Sequence, residues 1–137
     1  MRALLEESFR AAVAAADPLR ILAPHLPPPP QGRCFVAAAG KAAASMALAA
    51  EKHFRGELEG IAITRYGHSL PAKKIRVIEA GHPVPDEAGE AAAREILQRV
   101  KQLEEDDLLL ALLSGGGSSL LSLPAEGISM EIGRAHV

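Results

Sequence analysis

Three consecutive glycines, Gly115, Gly116 and Gly117, are flanked by the hydroxyls of Ser114, Ser118 and Ser119. Glycine admits positive φ and lets backbone come close to a ligand. Successive N–H groups in such a turn form a concavity that takes an anion. The six residues before the turn, Leu108 to Leu113, are all apolar and follow the acidic stretch Glu104 to Asp107. A short apolar run of this kind predicts a strand buried on both faces, with the glycines at its carboxyl end. A flexible turn is the competing reading. The buried strand leading straight into the glycines favours the anion site.

Lys41 is the second candidate. Gly40-Lys41 closes another apolar run and opens an Ala-rich segment that predicts a helix. A lysine in a first helical turn opposes the macrodipole by about 0.3–1 kcal/mol. A bound phosphate would offset that cost, since helix amino ends attract anions. The bland alternative is a lysine pointing to solvent. Arg65 has the fork geometry of a carboxylate or phosphate clamp. His68 and His82 are candidate bases or ligands. Neither His68 nor His82 lies on a predicted helix with a metal-ligand partner, and the single cysteine, Cys34, cannot build a zinc site. No metal ligand is therefore assigned. Asp86 reads as a helix cap.

Three familiar motifs are missing. Around Gly40-Lys41, Phe35 stands where a Walker A loop has its first glycine, and Ala42 replaces the Ser or Thr. Leu120 occupies the last glycine place of a dinucleotide fingerprint begun at Gly115. Neither Ser114 nor Ser118 sits in a G-x-S-x-G nucleophile elbow.

The elements that must position these residues alternate. Residues 3 to 16 form an amphipathic helix with Leu5, Phe9, Ala12, Val13 and Ala16 on one stripe. Asp17-Pro18 starts a short second helix that cannot pass Pro27 to Pro30, a stiff extended spacer. Strands follow at 33–39, 60–64, 74–79 and 108–113. Helices fall at 42–54 and at 87–103, the latter capped by Asp86 and facing the core with Ala88, Ala92, Ala93, Ile96, Leu97, Val100 and Leu103. This order predicts an α/β fold, a three-layer Rossmann-like domain with a mostly parallel sheet. In such sheets ligands bind outside the strands' carboxyl ends. Gly40-Lys41, Arg65 to His68, Gly81-His82-Pro83 and the glycine turn all fall there, so four turns converge on one rim.

Composition sets the outer bounds. The 137 residues suffice for one domain with its own core. A net charge of −2 without basic blocks argues against nucleic acid and anionic membrane surfaces as partners. A lone thiol excludes an intrachain disulfide and fits a cytoplasmic location. No run is apolar and long enough to span a bilayer, and the amino terminus lacks a signal-peptide pattern. Residues 131–137 can be back-translated as GAG-ATC-GGA-AGA-GCA-CAC-GTC, the start of a sequencing adapter. Residues 1–130 are therefore expected to be native, and 131–137 a non-native tail, disordered and packed against nothing, after an interrupted reading frame.

Taken together, Ala38-Ala39-Gly40-Lys41-Ala42-Ala43 with Met46-Ala47, Gly81-His82-Pro83-Val84-Pro85-Asp86 and Leu113-Ser114-Gly115-Gly116-Gly117-Ser118 resemble the type II glycerate kinases. Asp17-Pro18 and Tyr66-Gly67-His68 also fit. That family has a DUF4147-type amino-terminal domain and a carboxyl-terminal MOFRL domain. The resemblance implies transfer of a phosphoryl group from ATP, with Mg²⁺, to D-glycerate, giving 2-phosphoglycerate. It makes Lys41 the catalytic residue and the Ser114 to Ser119 loop the phosphate cradle. It also implies a sheet incomplete at its carboxyl end, a missing MOFRL-type domain and a fragment inactive alone. A sugar-phosphate binding or isomerase-like module, a relative labelled hydroxypyruvate reductase, and a structural fragment without ligand are the other readings.

Overall fold

The structure is a computed structural model and describes residues 1–134. In chain order its elements are α1 (Arg2–Ala15), α2 (Pro18–Ile21), β1 (Cys34–Ala39), α3 (Ala43–His53), β2 (Glu59–Arg65), β3 (Ile75–Ala80), α4 (Glu87–Val100), β4 (Leu108–Leu113), α5 (Gly117–Leu120) and α6 (Met130–Arg134). The four strands form one sheet in the order β3-β2-β1-β4. All three pairings are parallel. No described helix is long and apolar enough to cross a membrane.

Every residue of β1 is buried, as its central place requires. Because side chains alternate across a strand, Cys34, Val36 and Ala38 meet α3 on one face, while Phe35 and Ala37 meet the α4 face. On the α3 side, Ala43, Ala47 and Ala50 are fully buried against the sheet. Their small side chains let the helix lie close. On the α4 side Ala92, Ala93 and Ile96 close over Ile61 and Ile63. Burying a side chain such as Ile63 contributes about 1.5–3 kcal/mol. The layers are thus helix, sheet, helix, as expected for the three-layer class.

Strands β2 and β3 run parallel without a helix between them. Glu51, in the last turn of α3, holds the returning chain by accepting the N–H groups of Lys73, Lys74 and Ile75. Burial alone would push its carboxyl up, but those donors and the Lys74 charge keep it below its ordinary value. At the amino end, Asp17 caps α2 by accepting from Leu19 N at 3.0 Å, with Pro18 at the first helical position. Asp86 caps α4 through Gly89 N at 3.0 Å.

Four expectations need correction. Strand β4 is not buried on both faces: it lies at the sheet edge, and Leu109, Ala111 and Leu113 are exposed while Leu112 is buried. The register puts the exposed three on the α4 face, which α4 covers over β1, β2 and β3. The stripe of α1 faces solvent, with Leu5, Phe9 and Val13 each more than half exposed. Leu97, expected in the core, is 42% exposed on α4. The segment expected to be disordered from 131 onward is crossed by α6, whose Ile132 is exposed; residues 135–137 lie outside the described residues.

Candidate functional site

Strand order decides where a ligand can sit. Chain connections leave β1 toward β2 on one side, and β4 lies on the other. The crevice at such a reversal, outside the carboxyl ends, is the ligand site of open α/β sheets. The two turns that meet there are Gly40-Lys41 after β1 and Ser114 to Gly117 after β4.

They are bonded to each other. Lys41 N donates to Gly115 O at 2.9 Å, and Ser114 N donates to Ala39 O at 3.0 Å. Ala42 N donates to Ser114 Oγ at 3.0 Å. Gly40 has φ +126°, and a Cβ there would stand 2.2 Å from Ser114 Oγ and 2.6 Å from Ser114 O. Only glycine permits this approach. Gly116 has φ +89°, and a Cβ on it would lie 2.6 Å from His82 Nε2 and 3.5 Å from Lys41 Cγ. Lys41, His82 and the glycine turn therefore share one corner, beside an open cleft of about 460 Å³ lined by Leu113, Ser114, Gly116, Gly117, Ser118 and Leu121.

Lys41 is exposed and has no carboxylate partner among the described residues. It lies one residue before Ala42, the N-cap of α3, and so precedes the first turn in which the sequence had placed it. The N–H groups of Gly115 and Gly116 have no backbone acceptor among the described residues. An exposed ammonium beside free amides can hold an anion.

Not every candidate joins them. Gly40 is buried and serves the close approach. Ser119 is buried, its hydroxyl donating to Gly116 O at 3.2 Å. Ser118 is exposed at the cleft. Arg65 and His68 lie at the end of β2, on the far side of β1 from the glycines. Among the described residues no hydrogen bond or ion pair links their side chains to the turn. The His68 amide is instead held by Glu79, which accepts from His68 N and Ser69 N.

Sequence reasoning also missed a contact between Tyr66 and Asp86 on this rim. The Tyr66 hydroxyl donates to Asp86 Oδ2 at 2.7 Å. That bond, with burial and the nearby charge, raises the Tyr66 phenol above its ordinary range. Nothing in the spacing of residues 66 and 86 announces it. Cys34 is buried at the opposite edge, and burial pushes its thiol up, away from nucleophilic chemistry. Among the described residues no three His, Cys, Asp or Glu side chains converge as a metal site. Asp86 and Glu79, the rim carboxylates, are engaged by Tyr66, Gly89, His68 and Ser69.

The domain of unknown function DUF4147 matches residues 4–135. A protein from Agrobacterium vitis with a hydroxypyruvate reductase label is 48% identical over 135 residues, 98% of this chain and 31% of its own length. The D-glycerate 2-kinase of Thermotoga maritima is 42% identical over 133 residues, 96% of this chain and 32% of the kinase. A crystal structure of glycerate kinase from Thermotoga maritima superposes with a TM-score of 0.78 at 41% identity, covering 94% of this chain and 32% of that one. The chain spans about a third of the length of these relatives.

Proposed function

The chain belongs to the DUF4147 family, and from that premise we propose that it supplies the phosphate-binding wall of a glycerate kinase. The reaction is transfer of a phosphoryl group from ATP to a hydroxyl of D-glycerate, giving 2-phosphoglycerate. The observation that carries this reading is Lys41, a cation without a carboxylate partner among the described residues, bonded through its own backbone to the glycine turn.

Phosphoryl transfer depends on positioning and on charge stabilisation. Lys41 Nζ would neutralise phosphate oxygens, and the Gly115 and Gly116 amides would donate to them. Half-buried His82 would hold the acceptor or a phosphate oxygen by a hydrogen bond. The exposed Ser118 hydroxyl would add one neutral contact. Mg²⁺ does not fit the residues at hand, because among the described residues no three side chains that could ligate it converge. No step is therefore routed through a metal held by this chain. These 137 residues would bind phosphate without turning it over, and the acceptor's remaining contacts would come from the length that the relatives carry beyond it.

The reductase label is the second reading. A nicotinamide enzyme of this topology carries its glycine fingerprint after the first strand. Here that turn is Gly40-Lys41-Ala42, and the glycines follow β4 instead. The kinase reading accounts for both turns.

The test joins residues 1–130 to the remainder of the Thermotoga maritima kinase and assays ATP-dependent phosphorylation of D-glycerate. Lys41→Ala is expected to lower kcat/KM by orders of magnitude with an unchanged circular dichroism spectrum, since the charge it meets builds up in the transition state. Near wild-type turnover would make Lys41 a solvated surface residue.

A further inference from the structure

Resting on the phosphate reading of the rim, we propose that Ser114 is a positioning residue: its hydroxyl caps α3 from the neighbouring strand and so fixes Lys41 against the glycine turn.

Helix amino ends leave N–H groups without intrahelical partners. In a capping box the side chain three residues into the helix reaches back to the N–H of the N-cap residue. In α3 that third residue is Ser45, and its hydroxyl is turned the other way, donating to Ala42 O at 2.9 Å. The Ala42 N–H is taken instead by Ser114 Oγ, from 72 residues away, at 3.0 Å. The backbone of Ser114 is itself tied on both sides, by its N–H to Ala39 O and by its carbonyl, which accepts from Gly117 N at 3.1 Å. Its hydroxyl fills the space that a Cβ on Gly40 would need. Lys41 lies between these two contacts. The hydroxyl is thus engaged in setting where Lys41 stands relative to Gly115 and Gly116.

Two readouts on the 137-residue chain separate positioning from direct contact with phosphate. The first is amide hydrogen exchange of Ala42 followed by NMR. The second is the affinity for inorganic pyrophosphate, by calorimetry, in wild type, Ser114→Ala, Ser114→Thr and Lys41→Ala. The Ala42 amide should be protected in wild type and fast in Ser114→Ala. Pyrophosphate affinity should fall about threefold to tenfold in Ser114→Ala, the size of one net hydrogen bond. Ser114→Thr, which keeps the hydroxyl, should restore it to within about twofold, and Lys41→Ala should abolish binding. An Ala42 amide that exchanges freely in wild type, or at a rate that Ser114→Ala leaves unchanged, overturns the proposal. If Ser114→Ala does not fold, wild-type protection of Ala42 and the Ser114→Thr affinity decide it. If wild type fails to bind pyrophosphate, the phosphate reading falls, and exchange alone still decides whether Ser114 is the cap.

Discussion

Gly116 shows how much rests on single residues at the rim. Its φ of +89° is a region that a β-branched residue avoids, and a Cβ there would press on His82 Nε2. Gly116→Val is expected to cost about 1–3 kcal/mol in backbone strain and to reduce pyrophosphate affinity more than Ser118→Ala does. Urea unfolding beside calorimetry checks both. A valine at 116 that leaves stability and affinity untouched would show that the turn adopts another conformation. The glycines, Lys41 and His82 were legible in the sequence because their chemistry and their place after strands are local properties. The jobs of Ser114 and Ser119 were not. Ser114 and Ser118 look alike in sequence, yet one hydroxyl is engaged by Ala42 N and the other faces the cleft. Only the folded neighbourhood separates them.

At the scale of elements, Asp107 ties the start of β4 to the start of β1. Its carboxylate accepts from Glu104 N at 3.0 Å, from Arg33 N at 2.6 Å and from the Arg33 guanidinium at 2.8 Å. The Glu104 and Arg33 amides, with that guanidinium, hold its carboxyl at about 2, below the ordinary 3.8. A depressed folded-state value stabilises the fold above pH 3.8 and loses that contribution as pH falls toward about 2. Urea unfolding across this window should therefore show a decline that Asp107→Asn flattens. Equal slopes in both proteins would mean that Asp107 is not tied down in solution. The strands themselves could be read from the sequence to within a residue or so, because apolar runs bounded by glycine and charge are strong local signals. The exposure of β4 could not. Leu108 to Leu113 reads as doubly buried whether its strand is central or at an edge, since strand order is a property of the whole sheet. The same holds for α1, whose Leu5, Phe9 and Val13 stripe is amphipathic in sequence and uncovered in the structure.

For the whole molecule, the sheet has two distinct ends. The amino-edge cleft of about 490 Å³, lined by residues that include Pro29, Pro30, Arg33 and Cys34, carries no unpaired cation, because Arg33 is bound by Asp107. The carboxyl edge holds Lys41, His82 and the Gly115 and Gly116 amides, which have no backbone acceptor among the described residues. The central claim is that anion binding belongs to the second end alone, and amide shifts in ¹⁵N–¹H spectra of the chain during titration with inorganic pyrophosphate test it most directly. The account predicts saturable shifts at Lys41, Ala42, Gly115, Gly116 and Gly117, silence at Gly32, Arg33 and Gly56, and loss of the response in Lys41→Ala. Shifts centred on Arg33 and Gly56, or a response at the glycine turn that survives Lys41→Ala unchanged, would contradict it.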